Sequence, residues 1–104
     1  MAIVENRFVH TVFFWFKEKN NQEQKSIMQA ELLKLGQIDL IESAYIGKPA
    51  DTNREVIDSS YDFSITFVFK NKADQDAYQI HPDHYKFIDA CSSFWEKVQV
   101  YDAC

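Results

Sequence analysis

The chain has 104 residues, enough for one compact domain spanning 1–104 and too few for two. Its 46% hydrophobic and 15% aromatic content supplies a core, while only two Gly and two Pro argue against disorder. A formal net charge of -5 with no basic stripe argues against nucleic acid or an anionic membrane surface as a partner.

The N-terminal "MAIVENRFVHTVFFWFK" does not read as a signal peptide. Its apolar stretch, Val12 to Phe16, is short and runs into charged "KEK". No apolar run approaches membrane-spanning length. Residues 8–17, "FVHTVFFWFK", are β-branched and aromatic and predict a strand. Period two puts Phe8, His10, Val12, Phe14 and Phe16 on one face, and Val9, Thr11, Phe13 and Trp15 on the other. Residues 21–35 predict a helix with a Met28, Leu32, Leu35 stripe, flanked by Ile27 and stopped at Gly36. "LIESAYIG", 40–47, predicts a short second strand. Polar "KPADTNREVIDSS", 48–60, predicts a connection and is a candidate lid. "YDFSITFVFK", 61–70, alternates strongly and predicts a third strand. Asp62 at its start is either a solvent carboxylate or a pairing residue. Residues 71–94 predict a helix in two pieces, broken at Pro82. "EKVQVYD", 96–102, closes as a fourth strand.

The order β-α-β-β-α-β is the ferredoxin-like α+β split unit, with a four-stranded antiparallel sheet. Two helices cover one sheet face. The other carries Phe13 and Trp15, poor residues to leave in water, so a homodimer packed through the open sheet face is expected.

"AYQIHPDHYKFID", 77–89, holds two of the three histidines. From His84, Phe87, Ile88, Cys91 and Trp95 fall at +3, +4, +7 and +11, which turns His84 toward the sheet. His10 and Tyr78 can reach the same space. Strand-three residues Phe63, Ile65, Phe67 and Phe69, with Val12 and Phe14, would line it. A buried imidazole suits proton transfer near neutral pH, and a phenol suits a carbonyl or enolate oxygen. The competing account makes His84 an inert core histidine, hydrogen-bonded to backbone or to Tyr78. His81 precedes Pro82 at the helix start and reads as structural capping. The spacing matches no HExxH, and no Ca²⁺ loop, phosphate loop or GxSxG is present, so neither a metal nor a cofactor is expected. Cys91 and Cys104 lack a CxxC partner and fit a reducing cytoplasm.

"FVHTVFFWFK", "YIGKP", "YDFSITFVFKNKADQDAY", "HPDHYKF" and "VQVYD" together resemble the stress-responsive A/B barrel (Dabb) family across residues 8–102. The first-strand His, the Asp of "YD" and the HPxH motif carry the resemblance most specifically. It implies a dimeric α+β barrel. Plant members include a polyketide cyclase similar to "DAYQIHPDHYKFID…SFWEKVQVYD". In that enzyme a Tyr and the second HPxH His drive an intramolecular aldol condensation. Those roles carry over to Tyr78 and His84, and a pocket role to His10. The match departs at Phe63, where the plant enzyme has a histidine lining its pocket. The resemblance thus implies a cofactor-independent cyclase, lyase or isomerase acting on an apolar, carbonyl-containing molecule. The alternative is a ligand-binding or stress-response dimer without catalysis.

Overall fold

The computed structural model describes residues 1–104. Its elements follow the order β1 (Phe8–Phe16), α1 (Gln22–Leu35), β2 (Ser43–Gly47), β3 (Phe63–Phe69), α2 (Lys72–Gln79), α3 (Pro82–Cys91) and β4 (Trp95–Ala103). A single 3₁₀ turn, Ser92–Phe94, joins α3 to β4. The strands form one antiparallel sheet in the order β2-β3-β1-β4. This is the expected ferredoxin-like architecture. Helices cover one face, and α1 packs beside α3.

Alternation in β1 and β3 is strict. Every second residue of each is buried, and both strands lie in the middle of the sheet. The covered face joins Phe8, Val12, Phe14, Phe16, Phe63, Ile65, Phe67 and Phe69 to Met28, Leu32 and Leu35 of α1. Burying such side chains is the main force holding helices to sheet. Ile27, on the flank of that stripe, is exposed.

The ends of α1 have local causes. Asn21 accepts from the Gln24 N–H at 2.9 Å, capping the first turn. Gly36 ends the helix as expected, in a right-handed conformation. Its φ is -66°, and its N–H still reaches the Leu32 and Lys34 carbonyls. A Cβ there would sit 3.4 Å from the Ala44 Cβ, an ordinary packing distance, so the end of α1 lies close against β2. The second strand is shorter than expected and starts at Ser43, because Ile38 to Ile41 is occupied by a turn.

Asp62 is a pairing residue. Its N–H donates to the Phe14 carbonyl at 2.8 Å. Its carboxylate accepts from the Phe16 N–H at 2.7 Å and from Lys19 Nζ at 2.8 Å, with Lys25 Nζ at 3.8 Å. The side chain thereby continues the β1–β3 ladder after the β3 backbone has turned away.

On the uncovered face Phe13, Trp15, Tyr61 and Tyr101 form one aromatic cluster, with Phe13 and Tyr61 rings 4.8 Å apart. Lys97 Nζ lies 4.5 Å over the Trp15 ring. The Trp15 indole N–H donates to Ser60 Oγ at 2.8 Å, which fastens the 48–60 connection to this face.

Candidate functional site

The break between α2 and α3 builds the site. Tyr78 lies in the last turn of α2, and His84 in the first turn of α3. On an unbroken helix, residues six apart point about 120° away from each other. The interruption at Ile80–His81 removes that constraint, and the two rings meet 4.8 Å apart, edge to face. His81 and Pro82 start α3. Pro82 takes the first turn, where no N–H partner is needed, and His81 Nδ1 accepts from the Asp83 N–H at 3.0 Å. This leaves His81 outside the space shared by the other two histidines, so the three do not converge on one point.

His10 comes from the covered face of β1 and is 5% exposed. Its ring lies 6.0 Å from that of Tyr78. Its Nδ1 lies 2.6 Å from a carboxylate oxygen of Asp102, which β4 places directly opposite in the register.

These groups surround a cavity of about 200 Å³. Drug-sized ligand pockets run to roughly 300–1,000 Å³, so this one suits a small molecule. His10, Tyr78, His84 and Gln79 supply its polar edge. Val12, Phe14, Ile65, Phe87 and Ile88 line it as expected. Trp95, expected on the His84 side, completes the wall together with Leu35, Val98 and Val100, which the sequence does not single out for it. Val98 and Val100 are 38% and 42% exposed although they belong to the helix-covered face. The cavity therefore opens sideways along the β4 edge.

Four expectations need correction. Phe63 does not line the cavity. It is fully buried against Phe16, with ring centroids 5.6 Å apart and Lys48 on its other side. Phe67 and Phe69 sit behind Tyr78 and form its packing surface rather than the cavity wall. Trp95 is the first residue of β4 and not part of the His84 helix, but it still reaches Phe14 and Phe87. The 48–60 segment contributes no residue to the cavity and does not act as its lid.

Burial sets the protonation of the central pair. It pushes the Tyr78 hydroxyl far above the ordinary phenol range, so Tyr78 stays a hydrogen-bond donor. Burial and then the neighbouring His10 lower the His84 pKa from its ordinary 6.5, with the Gln79 carbonyl opposing them. His84 Nδ1 is enclosed and makes no well-formed hydrogen bond. A neutral imidazole beside a protonated phenol is an arrangement that can take a proton at one atom and donate a hydrogen bond at another.

A larger open groove of about 450 Å³ lies between α1 and α3. Its charges are paired locally, Lys34 with Glu31 and Lys86 with Asp83, and it has no comparable buried chemistry.

The family model described as Stress responsive A/B Barrel Domain matches residues 8–104. Among solved structures, a Dabb family protein of ferredoxin-like fold from Mesorhizobium loti is 24% identical, with TM-score 0.77, covering 94% of this chain and 95% of that one. A dimeric ferredoxin-like protein of unknown function from Thermobifida fusca is 17% identical, with TM-score 0.78, covering 100% and 96%. A hydroxynitrile lyase from Passiflora edulis is 20% identical, with TM-score 0.77, covering 96% and 94%. No curated protein matches the chain. Identities this low establish the shared fold and nothing finer.

Proposed function

This chain belongs to the stress-responsive A/B barrel family, and on that footing we propose that it is a cofactor-independent enzyme acting on a small, apolar carbonyl compound. The observation that carries the reading is the Tyr78–His84 pair, a buried phenol and a desolvated imidazole facing one apolar cavity. The Tyr78 hydroxyl donates to the substrate carbonyl oxygen. Neutral His84 takes the acidic proton from the adjacent carbon. The C–H electron pair moves toward the carbonyl carbon, and the developing charge on oxygen is met by Tyr78. The carbanion equivalent can then add to a second carbonyl of the same molecule, whose new alkoxide takes the proton back from His84; or be reprotonated by His84 at another carbon; or expel a leaving group from the neighbouring carbon, which departs with that proton. The apolar wall excludes water from the reacting carbon.

The working form is a homodimer joined through the Phe13–Trp15–Tyr61–Tyr101 face. Two features support it: that face is aromatic and uncovered, and a Thermobifida fusca protein of the same fold is described as dimeric. Two unpaired cysteines, buried Cys91 and exposed Cys104, support a reducing cytoplasm. The sideways opening along Val98 and Val100 favours a second reading, a carrier that holds an apolar ligand without transforming it.

Exchange of α-protons in D₂O, followed by NMR on a panel of small ketones and aldehydes, separates the two. Turnover predicts accelerated exchange that falls by about 10²-fold or more in Tyr78→Phe and His84→Gln, with melting temperatures held. Undiminished exchange in both variants would overturn the catalytic roles. Binding of panel members with no exchange would favour the carrier.

A further inference from the structure

His10 has a role that the Tyr78–His84 pair leaves open. Its ring is buried, and its two nitrogens meet different surroundings. Nδ1 faces β4 and lies 2.6 Å from an oxygen of Asp102. A carboxylate oxygen accepts hydrogen bonds, so the hydrogen between the two belongs on Nδ1. In the neutral ring Nε2 is then the nitrogen that can accept, and it belongs to a ring that lines the cavity beside Tyr78. The cavity lining itself holds no acidic side chain, so Asp102 reaches the cavity only through His10. Asp102 itself is 42% exposed along its side chain, on the outer strand, and contributes nothing to the enclosed core.

We infer that Asp102 is a positioning residue that holds His10 as its Nδ1–H tautomer, so that Nε2 accepts a hydrogen bond from a hydroxyl group on the ligand. This deepens the reading above, because it narrows the substrate class to hydroxyl-bearing carbonyl compounds. The carbonyl oxygen meets the Tyr78 hydroxyl, the acidic C–H meets His84, and the ligand O–H meets His10. A plain ketone of the same size satisfies only the first two. It leaves Nε2 against an apolar group with no partner, and an unmet polar group is what discriminates most strongly between otherwise similar ligands.

The tautomer can be read without any turnover. Nitrogen-15 chemical shifts of ring-labelled histidine distinguish Nδ1–H, Nε2–H and the doubly protonated ring. Near neutral pH the His10 signals should be those of the Nδ1–H form, the less common one for a free side chain. The probes are 3-hydroxyacetophenone and acetophenone. The hydroxylated probe should shift the His10 Nε2 resonance and bind about five- to tenfold more tightly. Asp102→Ala should abolish that preference while leaving acetophenone affinity unchanged. Asp102→Asn, which keeps an acceptor oxygen, should restore both the tautomer and the preference. A His10 ring that is Nε2–H or doubly protonated in the unaltered protein would overturn the inference, and so would an Asp102→Ala variant that keeps the Nδ1–H form. Loss of the tautomer with equal affinity for the two probes would reduce Asp102 to a structural contact and overturn it as well. None of these readouts depends on proton exchange at carbon, so the inference and the catalytic reading can fail separately.

Discussion

Replacing Asp62 by alanine removes a strand-end hydrogen bond and two charge contacts in one step. The Phe16 N–H loses its acceptor at 2.7 Å, in a residue with no exposed surface. A buried donor left unmet costs about 1–3 kcal/mol. Lys19 and Lys25 lose their carboxylate. Lys19 is half in solvent and Lys25 is at longer range, so together they add about 1 kcal/mol at most. The sum is about 1–4 kcal/mol. At roughly 2 cal/mol/K of unfolding entropy per residue, a chain of this length loses about 4–5 °C of melting temperature per kcal/mol. Asp62→Ala should therefore melt roughly 5–18 °C below the unaltered protein. Asp62→Asn keeps an oxygen for Phe16 and should lose only about 5 °C. Thermal unfolding followed by circular dichroism, repeated at high salt, provides the check. Salt should narrow the gap between Asp and Asn and leave that between Asn and Ala. An alanine variant within about 2 °C of the original would refute the claim that this side chain completes the ladder.

The depressed His84 pKa predicts two acid limbs. Unfolded His84 binds its proton near 6.5, whereas the folded side chain resists it, so the unfolded state gains protons first as pH falls. The contribution of His84 to stability is complete above 6.5 and is lost between 6.5 and the lower folded value; His84→Gln should flatten that part of a urea-unfolding series. Proton exchange on a ketone should likewise persist below 6.5 and fail only at more acidic pH, and an acid limb centred at or above 6.5 would contradict the assignment. For the dimer, Phe13→Glu places two like charges across a two-fold interface and should weaken association at least about a hundredfold by analytical ultracentrifugation, with the monomer still folded. An unchanged dimer would move the interface elsewhere.

The central strands could be read from sequence because each has one face against helices and one against little, which leaves a period of two in Phe8 to Phe16 and Phe63 to Phe69. The same rule misplaced Phe63. Period two assigns a face but gives no position along it. In the antiparallel register Phe63 stands opposite Phe14 while Phe67 stands opposite His10, so Phe63 lies at the far end from the polar groups. Trp95 was given the right neighbours on the wrong element, because helical spacing was carried past Cys91, where the chain tightens into a 3₁₀ turn. Asp102 carried the weakest local signal. It alternates with Val98 and Val100 in "VQVYD", which marks it as facing the helices. Its partner, however, is 92 residues away, and only strand register brings His10 opposite it.

That same separation has a consequence for how the molecule comes into being. Before β4 docks, β1 is an outer strand, and its row of backbone groups along that side is unpaired. The 92-residue closure is entropically slow, since non-local pairing is rewarded only after most of the chain has been ordered. A nascent chain leaving the ribosome would thus expose an aromatic-rich template strand until β4 arrived. In that interval it is open to mispairing with other copies and to capture by chaperones. The His10–Asp102 contact, the Val98–Val100 wall of the pocket and the protection of β1 are completed by a single folding event.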